Sequence, residues 1–398
     1  MNANLWQTQP LWVLLTWLPV PLGCALLALP ASRAWGERLA RPWVAWAFFL
    51  LTRVAFAVVV FGVFGHRSID LVASHEPQGE AILAGKIPYR DFVSLYAPGF
   101  PYVLALAMSI SHLWGALLVF VLADLGAFLA LARLHGDAAP GPASPAWLYL
   151  AFPPVWYFEV RYAQDETLSS LFLALALLAA ARGRGVRQGL ALALGQLFTK
   201  PLFGAGAAPL LLTPRASWGA RWAYVIPVGA IYLAMTVAGI PWSRDLRLEA
   251  SAFGVGPTLW RLPEVWGHLE LGRLAWAPEV VLVAVGFTRL WRRRADGVSF
   301  VAWMWGCHAA LAPKLLPMYV VMVAPALAVW VGRAWREGRL AWWALYGLAM
   351  GSAWYADSGP LQGMLGPVGV AVGAVFMLAP VVLAAWLLLA VWREPAAR

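Results

Sequence analysis

Apolar runs of roughly 15–22 residues recur along the whole chain, separated by short polar loops. A helix needs about 20 apolar residues to cross a ~30 Å hydrocarbon layer, and in that layer every backbone polar group must be satisfied internally. The pattern therefore predicts an all-α, polytopic transmembrane helical bundle of about 11–13 spans. Charged residues make up 12% of the 398, against about a quarter in soluble domains. No stretch is polar enough for a separate soluble domain, so residues 1–398 read as one integral membrane domain. The net charge of +10 would suit nucleic acid, but the arginines fall in short loops between spans, which is topological bias. Cys24 and Cys307 both sit in apolar runs and form neither a disulfide framework nor a metal site.

The expected spans are 10–30 (a retained span, since no basic leader precedes it), 43–64, 115–135, 146–161, 167–182, 187–200, 202–213, 223–240, 276–291, 298–312, 315–333, 340–356 and 368–391. The pair 187–200 and 202–213 could also form a broken or re-entrant hairpin. The loops then sort into two alternating sets. One carries Arg33, Arg38, Arg41, Arg133, Arg182, Arg184, Arg187, Arg215, Arg221, Arg292, Arg293, Arg294, Arg333, Arg336, Arg339 and Arg393. Charge bias makes that side cytoplasmic. The N-terminus is then outside and the C-terminus inside an inner or plasma membrane, and the loop 65–114 faces away from the cytoplasm.

That loop is the longest polar interval in the chain. It holds Asp70, Glu76, Glu80 and Asp91 with His66, Arg67, His75, Lys86 and Arg90. Residues 76–85 and 98–112 read as helices lying along the membrane surface, the second opening on prolines as helix starts do. The Pro- and Tyr-rich stretch between them reads as ordered loop. Ionisable chemistry concentrated at one membrane face marks the place where the protein works.

Four stretches, in this order and on these sides, carry a resemblance. LLTRVAF, a span with an internal Arg, is followed closely by Asp70 in the first external loop. AILAGKIPYRDFVSLYAPG leads from a small-residue segment into a Tyr-Asp and Tyr-Pro run. QDETLSSLFLALALLAAARGRG opens a helix on a second acidic site, and GLALALGQLFTKP ends a span in Lys-Pro. The chain in this respect resembles the GT-C superfamily of membrane glycosyltransferases. Within it, the similarity is to the bacterial branch of polyprenol-phosphate-mannose-dependent mannosyltransferases. The resemblance covers about residues 45–215 well, which makes 43–215 the catalytic half and 216–398 a C-terminal transmembrane half. The chain departs in having a span ahead of the usual first helix and Gln-Asp-Glu at the second acidic site. The resemblance implies sugar transfer, of mannose or a similar hexose or pentose, in the cell envelope. The donor would be a polyprenyl-phosphate sugar in the membrane lipid, and the acceptor a hydroxyl of a glycan, glycolipid or protein. Asp70 would be the catalytic base.

The residues fit that chemistry on their own terms. Attack on the sugar needs a base for the acceptor hydroxyl, which a carboxylate can supply, and positive charge to steady the departing phosphate. The phosphate leaves already ionised, so no paired general acid is required and the outcome is inversion. Substrate-binding candidates are Lys86, Tyr89, Arg90, Asp91 and Tyr96 in the loop, Asp165 and Glu166 at the second acidic site, and Lys200, His308 and Lys314 at external span ends. Plainer roles compete: helix capping for the two acids, snorkelling for the lysines and core packing for His308. Trp242, Trp260 and Trp266 could stack on sugar or lipid. No cofactor is expected, and no Asp-rich cluster calls for a divalent metal. A transporter or flippase, or another lipid-linked transferase, is the rival class, but no internal repeat stands out and only Arg53 and Asp124 lie deep within spans. Their similar depth predicts contact between them, direct or through one polar group.

Overall fold

The computed structural model describes residues 18–28, 41–112, 114–134, 144–245, 258, 272–333, 338–357 and 367–394. Within them the chain is helix and turn, apart from an isolated bridge between Pro88 and Phe92. The helices, in chain order, are α1 (Pro19–Ala28), α2 (Pro42–Val63), α3 (Glu76–Leu83), α4 (Phe100–Ile110), α5 (Gly115–Leu134), α6 (Pro145–Leu150), α7 (Pro153–Tyr162) and α8 (Glu166–Ala181). They continue as α9 (Gly185–Phe198), α10 (Phe203–Leu212), α11 (Trp218–Val237), α12 (Ala277–Arg292), α13 (Gly297–Leu311), α14 (Val320–Arg333), α15 (Leu340–Asp357) and α16 (Pro367–Arg393). Among the described residues, five helical stretches are long and apolar enough to cross a membrane: α2, α5, α11, Leu274–Arg292 and Val372–Arg393. The protein is thus an all-α, multi-pass membrane protein. Trp260 and Trp266 lie outside the described residues.

The largest departure from the expected spans is at 146–161, which is two helices. Pro153 and Pro154 cannot donate backbone hydrogen bonds, and Phe152 takes an extended conformation ahead of them (φ −70°, ψ 112°). The break leaves the Leu150 carbonyl without the amide four residues on, and Arg53 fills that gap: its Nη1 donates to Leu150 O at 2.9 Å. The expected division of 187–213 is present at Thr199–Leu202, giving α9 and α10 with Lys200-Pro201 in the turn.

Arg53 and Asp124 meet directly, Nε to Oδ2 at 2.6 Å, with both side chains fully buried. α5 packs along α8, and α14 is buried along nearly its whole length, its own Trp330 sharing a core with Trp147 and Trp343. An ion this deep tolerates no loss of its partner, because desolvation has already been incurred. Asp124→Asn alone is expected to cost about 3–5 kcal/mol. Adding Arg53→Gln is expected to restore part of that loss, which thermal unfolding of the single and double variants in detergent would measure.

A second apolar cluster holds the long polar loop in place. Leu71, Tyr96, Phe100, Leu104 and Phe120 are buried together. His75 lies among the rings of Tyr96, Phe100 and Phe120, at 5.5–5.6 Å between centres. The loop is also bonded to the end of α9: Ala97 N donates to Thr199 O at 2.9 Å and Gly99 N to Leu197 O at 2.8 Å. Position 99 must be glycine for this approach, since a Cβ there would lie 2.5 Å from the Phe198 ring. These two bonds bring Tyr96 to Lys200, whose ammonium lies 5.4 Å from the Tyr96 ring centre.

Candidate functional site

A cavity of about 420 Å³ opens where the loops after α2, α7, α9 and α13 converge. Asp70, Ser74, Tyr96, Gln164, Lys200, Trp276, His308, Lys314 and Tyr319 line it, with Leu95, Leu202, Leu316 and Met318 adding apolar wall. A larger cavity of about 550 Å³ lies at the other ends of α8, α9, α10 and α14. Its carboxylate, Asp296, is committed to Arg333 and to capping Ser299 N at 3.0 Å, which leaves no acid there to act as a base. The smaller cavity instead gathers a carboxylate, two lysines and a histidine.

Asp70 is half-buried just ahead of a π-turn at Leu71–His75, and Gln164 Nε2 donates to its carboxylate. Gln164 reaches it because α7 ends on Ala163 in the left-handed region (φ 50°, ψ 49°), which turns the chain sharply before α8 starts. Gln164 thereby ties Asp70 to the turn that carries the second acidic site. Gln164 escaped the sequence-based site list although it stands next to Asp165, because an amide carries no charge signal.

Asp165 and Glu166 are fully buried, and Lys200 answers both, at 3.0 Å and 2.5 Å. His75 Nε2 sits 3.6 Å from Asp165 and 3.1 Å from the Tyr96 hydroxyl. Burial alone would raise Asp165, but Lys200 and His75 outweigh it and hold the carboxyl below its ordinary range. Burial also works against the charge on Lys200, yet Asp165 and Glu166 overcome it and keep the ammonium charged far above neutrality. Rings of Tyr96 and Tyr319 flank that ammonium at 5.4 and 5.5 Å. The acids therefore lie behind the cavity wall, and the cavity sees them through Lys200.

His308 lines the same cavity and places Nδ1 3.0 Å from Glu279 Oε1. Glu279, in the first turn of α12, was not among the residues singled out from the sequence, nor were Trp276 and Tyr319. Lys86, Tyr89, Arg90 and Asp91 do not line the cavity. Arg90 and Asp91 form an exposed two-point pair, 2.9 Å at each bond, which holds the Asp91 carboxyl below its ordinary range together with the Ile87 amide. Tyr89 is buried at a positive φ of 64° and donates its hydroxyl to the Tyr96 carbonyl, bracing the loop. Among the described residues, no three His, Cys, Asp or Glu side chains converge as a metal ion would require.

Lys200→Gln would strand two buried carboxylates. Such groups bind protons more readily folded than unfolded, so their stability contribution grows as pH falls. The variant is expected to lose about 3–5 kcal/mol at neutral pH. It should regain part of this on acidification towards pH 5, more than the parent protein does, in thermal unfolding followed across pH.

No protein-family model and no curated protein matches this chain. Among solved structures, the chain is similar to ArnT from Cupriavidus metallidurans bound to undecaprenyl phosphate, at 17% identity over 88% of this chain and 77% of that one, with a TM-score of 0.48. It is also similar to ArnT from the same organism in the apo state, at 17% identity over 90% and 78%, with a TM-score of 0.42. At this level of likeness, function is argued from the residues.

Proposed function

We propose that the protein is a GT-C type glycosyltransferase that moves a sugar from a polyprenyl-phosphate donor to an acceptor hydroxyl at the membrane face bearing the 65–112 loop. The carrying observation is that Asp70 and two ammonium groups, Lys200 and Lys314, line one cavity with an apolar wall. In this reading Asp70 takes the proton of the acceptor hydroxyl as its oxygen bonds to C1. The bond from C1 to the phosphate oxygen breaks, and its electron pair leaves with the phosphate. The lysines meet the added negative charge. Gln164 fixes the base, and Leu95, Leu202, Leu316 and Met318 accommodate the first isoprenoid units. By the motif resemblance, mannose leads the sugars, the acceptor is a glycan, glycolipid or protein, and the charge bias of the loops puts the reaction on the external side.

The test is incubation of purified protein with a panel of polyprenyl-phosphate sugars, following transfer or donor hydrolysis. Turnover with at least one donor is expected, and none across the panel would sink the reading. Asp70→Asn keeps the shape and removes the base, so it is expected to lower kcat by about 10²–10⁴ with donor binding largely intact. Lys314→Ala is expected to show the complementary pattern, weakening donor binding about tenfold for one lost charge-assisted contact. Normal turnover in Asp70→Asn would move the base elsewhere.

A further inference from the structure

Glu279 is 5% exposed, and the histidine it touches, His308, is 6% exposed. The carboxylate accepts, so His308 Nδ1 carries the hydrogen of this 3.0 Å contact. That leaves Nε2 as the ring's other polar atom, and it has no hydrogen-bond partner among the described residues. Buried polar atoms usually find a partner, and the cavity beside this ring has room for one. Trp276 and Trp305 lie against the ring, 6.4 and 5.8 Å between centres, and hold its plane. The residue lines the cavity that also holds Lys200, Lys314 and Asp70. Asp70 already accepts from Gln164, and Lys200 is shared with two carboxylates. The cavity thus has a cationic wall and, just beneath its surface, one imidazole nitrogen still uncommitted.

We infer that Glu279 is a positioning residue that presents Nε2 of His308 to the phosphate of the lipid donor, as a third polar contact beside Lys200 and Lys314. The inference rests on the polyprenyl-phosphate reading. A carboxylate behind the ring fixes its orientation; an imidazolium donates from both nitrogens, so in the proposed complex Nδ1–H goes to Glu279 and Nε2–H to a phosphate oxygen. No bond is made or broken at the imidazole. Its hydrogen bond strengthens as charge builds on the departing phosphate. Glu279 touches no reacting atom and acts only through His308.

The test uses the full chain in nanodiscs with [15N]histidine and farnesyl phosphate as the probe. The His308 signals are identified by their loss in His308→Asn. Farnesyl phosphate is expected to move the Nε2 signal, farnesol to leave it in place, and inorganic phosphate to act only at much higher concentration. Glu279→Gln is expected to weaken farnesyl phosphate about tenfold, the weight of one charge-assisted hydrogen bond. Glu279→Asp should recover part of that, and unchanged signals from the other histidines would show that the fold is retained. A His308 signal silent to farnesyl phosphate, or unchanged affinity in Glu279→Gln, overturns the inference. An equal response to inorganic phosphate assigns the site to a soluble anion and overturns the lipid donor. Sugar transfer intact with His308 silent defeats this inference alone. A normal His308 response without transfer from any donor defeats the transferase reading alone.

Discussion

A charge inside an apolar bundle must find its opposite, and the Lys200 ammonium set against Asp165 and Glu166 is where that requirement shapes this protein. Each of these ions, left alone, would carry a desolvation penalty of several kcal/mol. Together they bind the α7–α8 turn to the α9–α10 turn, two connections far apart in sequence. Backbone bonds from Ala97 and Gly99 to the same end of α9 then fix the long polar loop, so Tyr96 faces Lys200. With that junction formed, Gln164 falls beside Asp70 and the cavity closes around them.

The Arg53 and Lys200 ion clusters differ in what they leave over. Arg53 and Asp124 are both fully enclosed, and the guanidinium also satisfies a carbonyl freed by Pro154. That pair holds helices together and offers nothing to a ligand. Lys200 keeps 14% of its side chain exposed and lines the cavity, so its charge is anchored from behind and presented in front. Such pre-organised positive charge suits an anionic leaving group, because nothing need reorganise when the charge moves.

How much of this could be read from sequence follows from how local each signal is. Apolar length placed α5 to within a residue of 115–135, and the proline-led stretch 98–112 was visible as what became Phe100–Ile110. The Arg53–Asp124 contact was legible because depth in a span follows from position alone. The break at Pro153-Pro154 was missed because hydropathy runs straight through it, although both prolines stood in plain view. Glu279 and His308 lie on different helices 29 residues apart, and their meeting depends on helix rotation, which no single-sequence pattern reports. Arg90 and Asp91 looked like site residues because they are charged and near the motif, yet adjacent opposite charges can simply satisfy each other.

In the proposed reaction one carboxylate, Asp70, acts as a base across a sugar whose phosphate departs into a lysine-lined pocket. Stereochemistry reports on this most directly. A single displacement from the face opposite the phosphate inverts the anomeric carbon, whereas a carboxylate acting as nucleophile would retain it through a covalent intermediate. The decisive measurement is therefore the anomeric configuration of the transferred sugar, read by NMR from a donor of defined configuration. Inversion is the result this account predicts, and retention would contradict it.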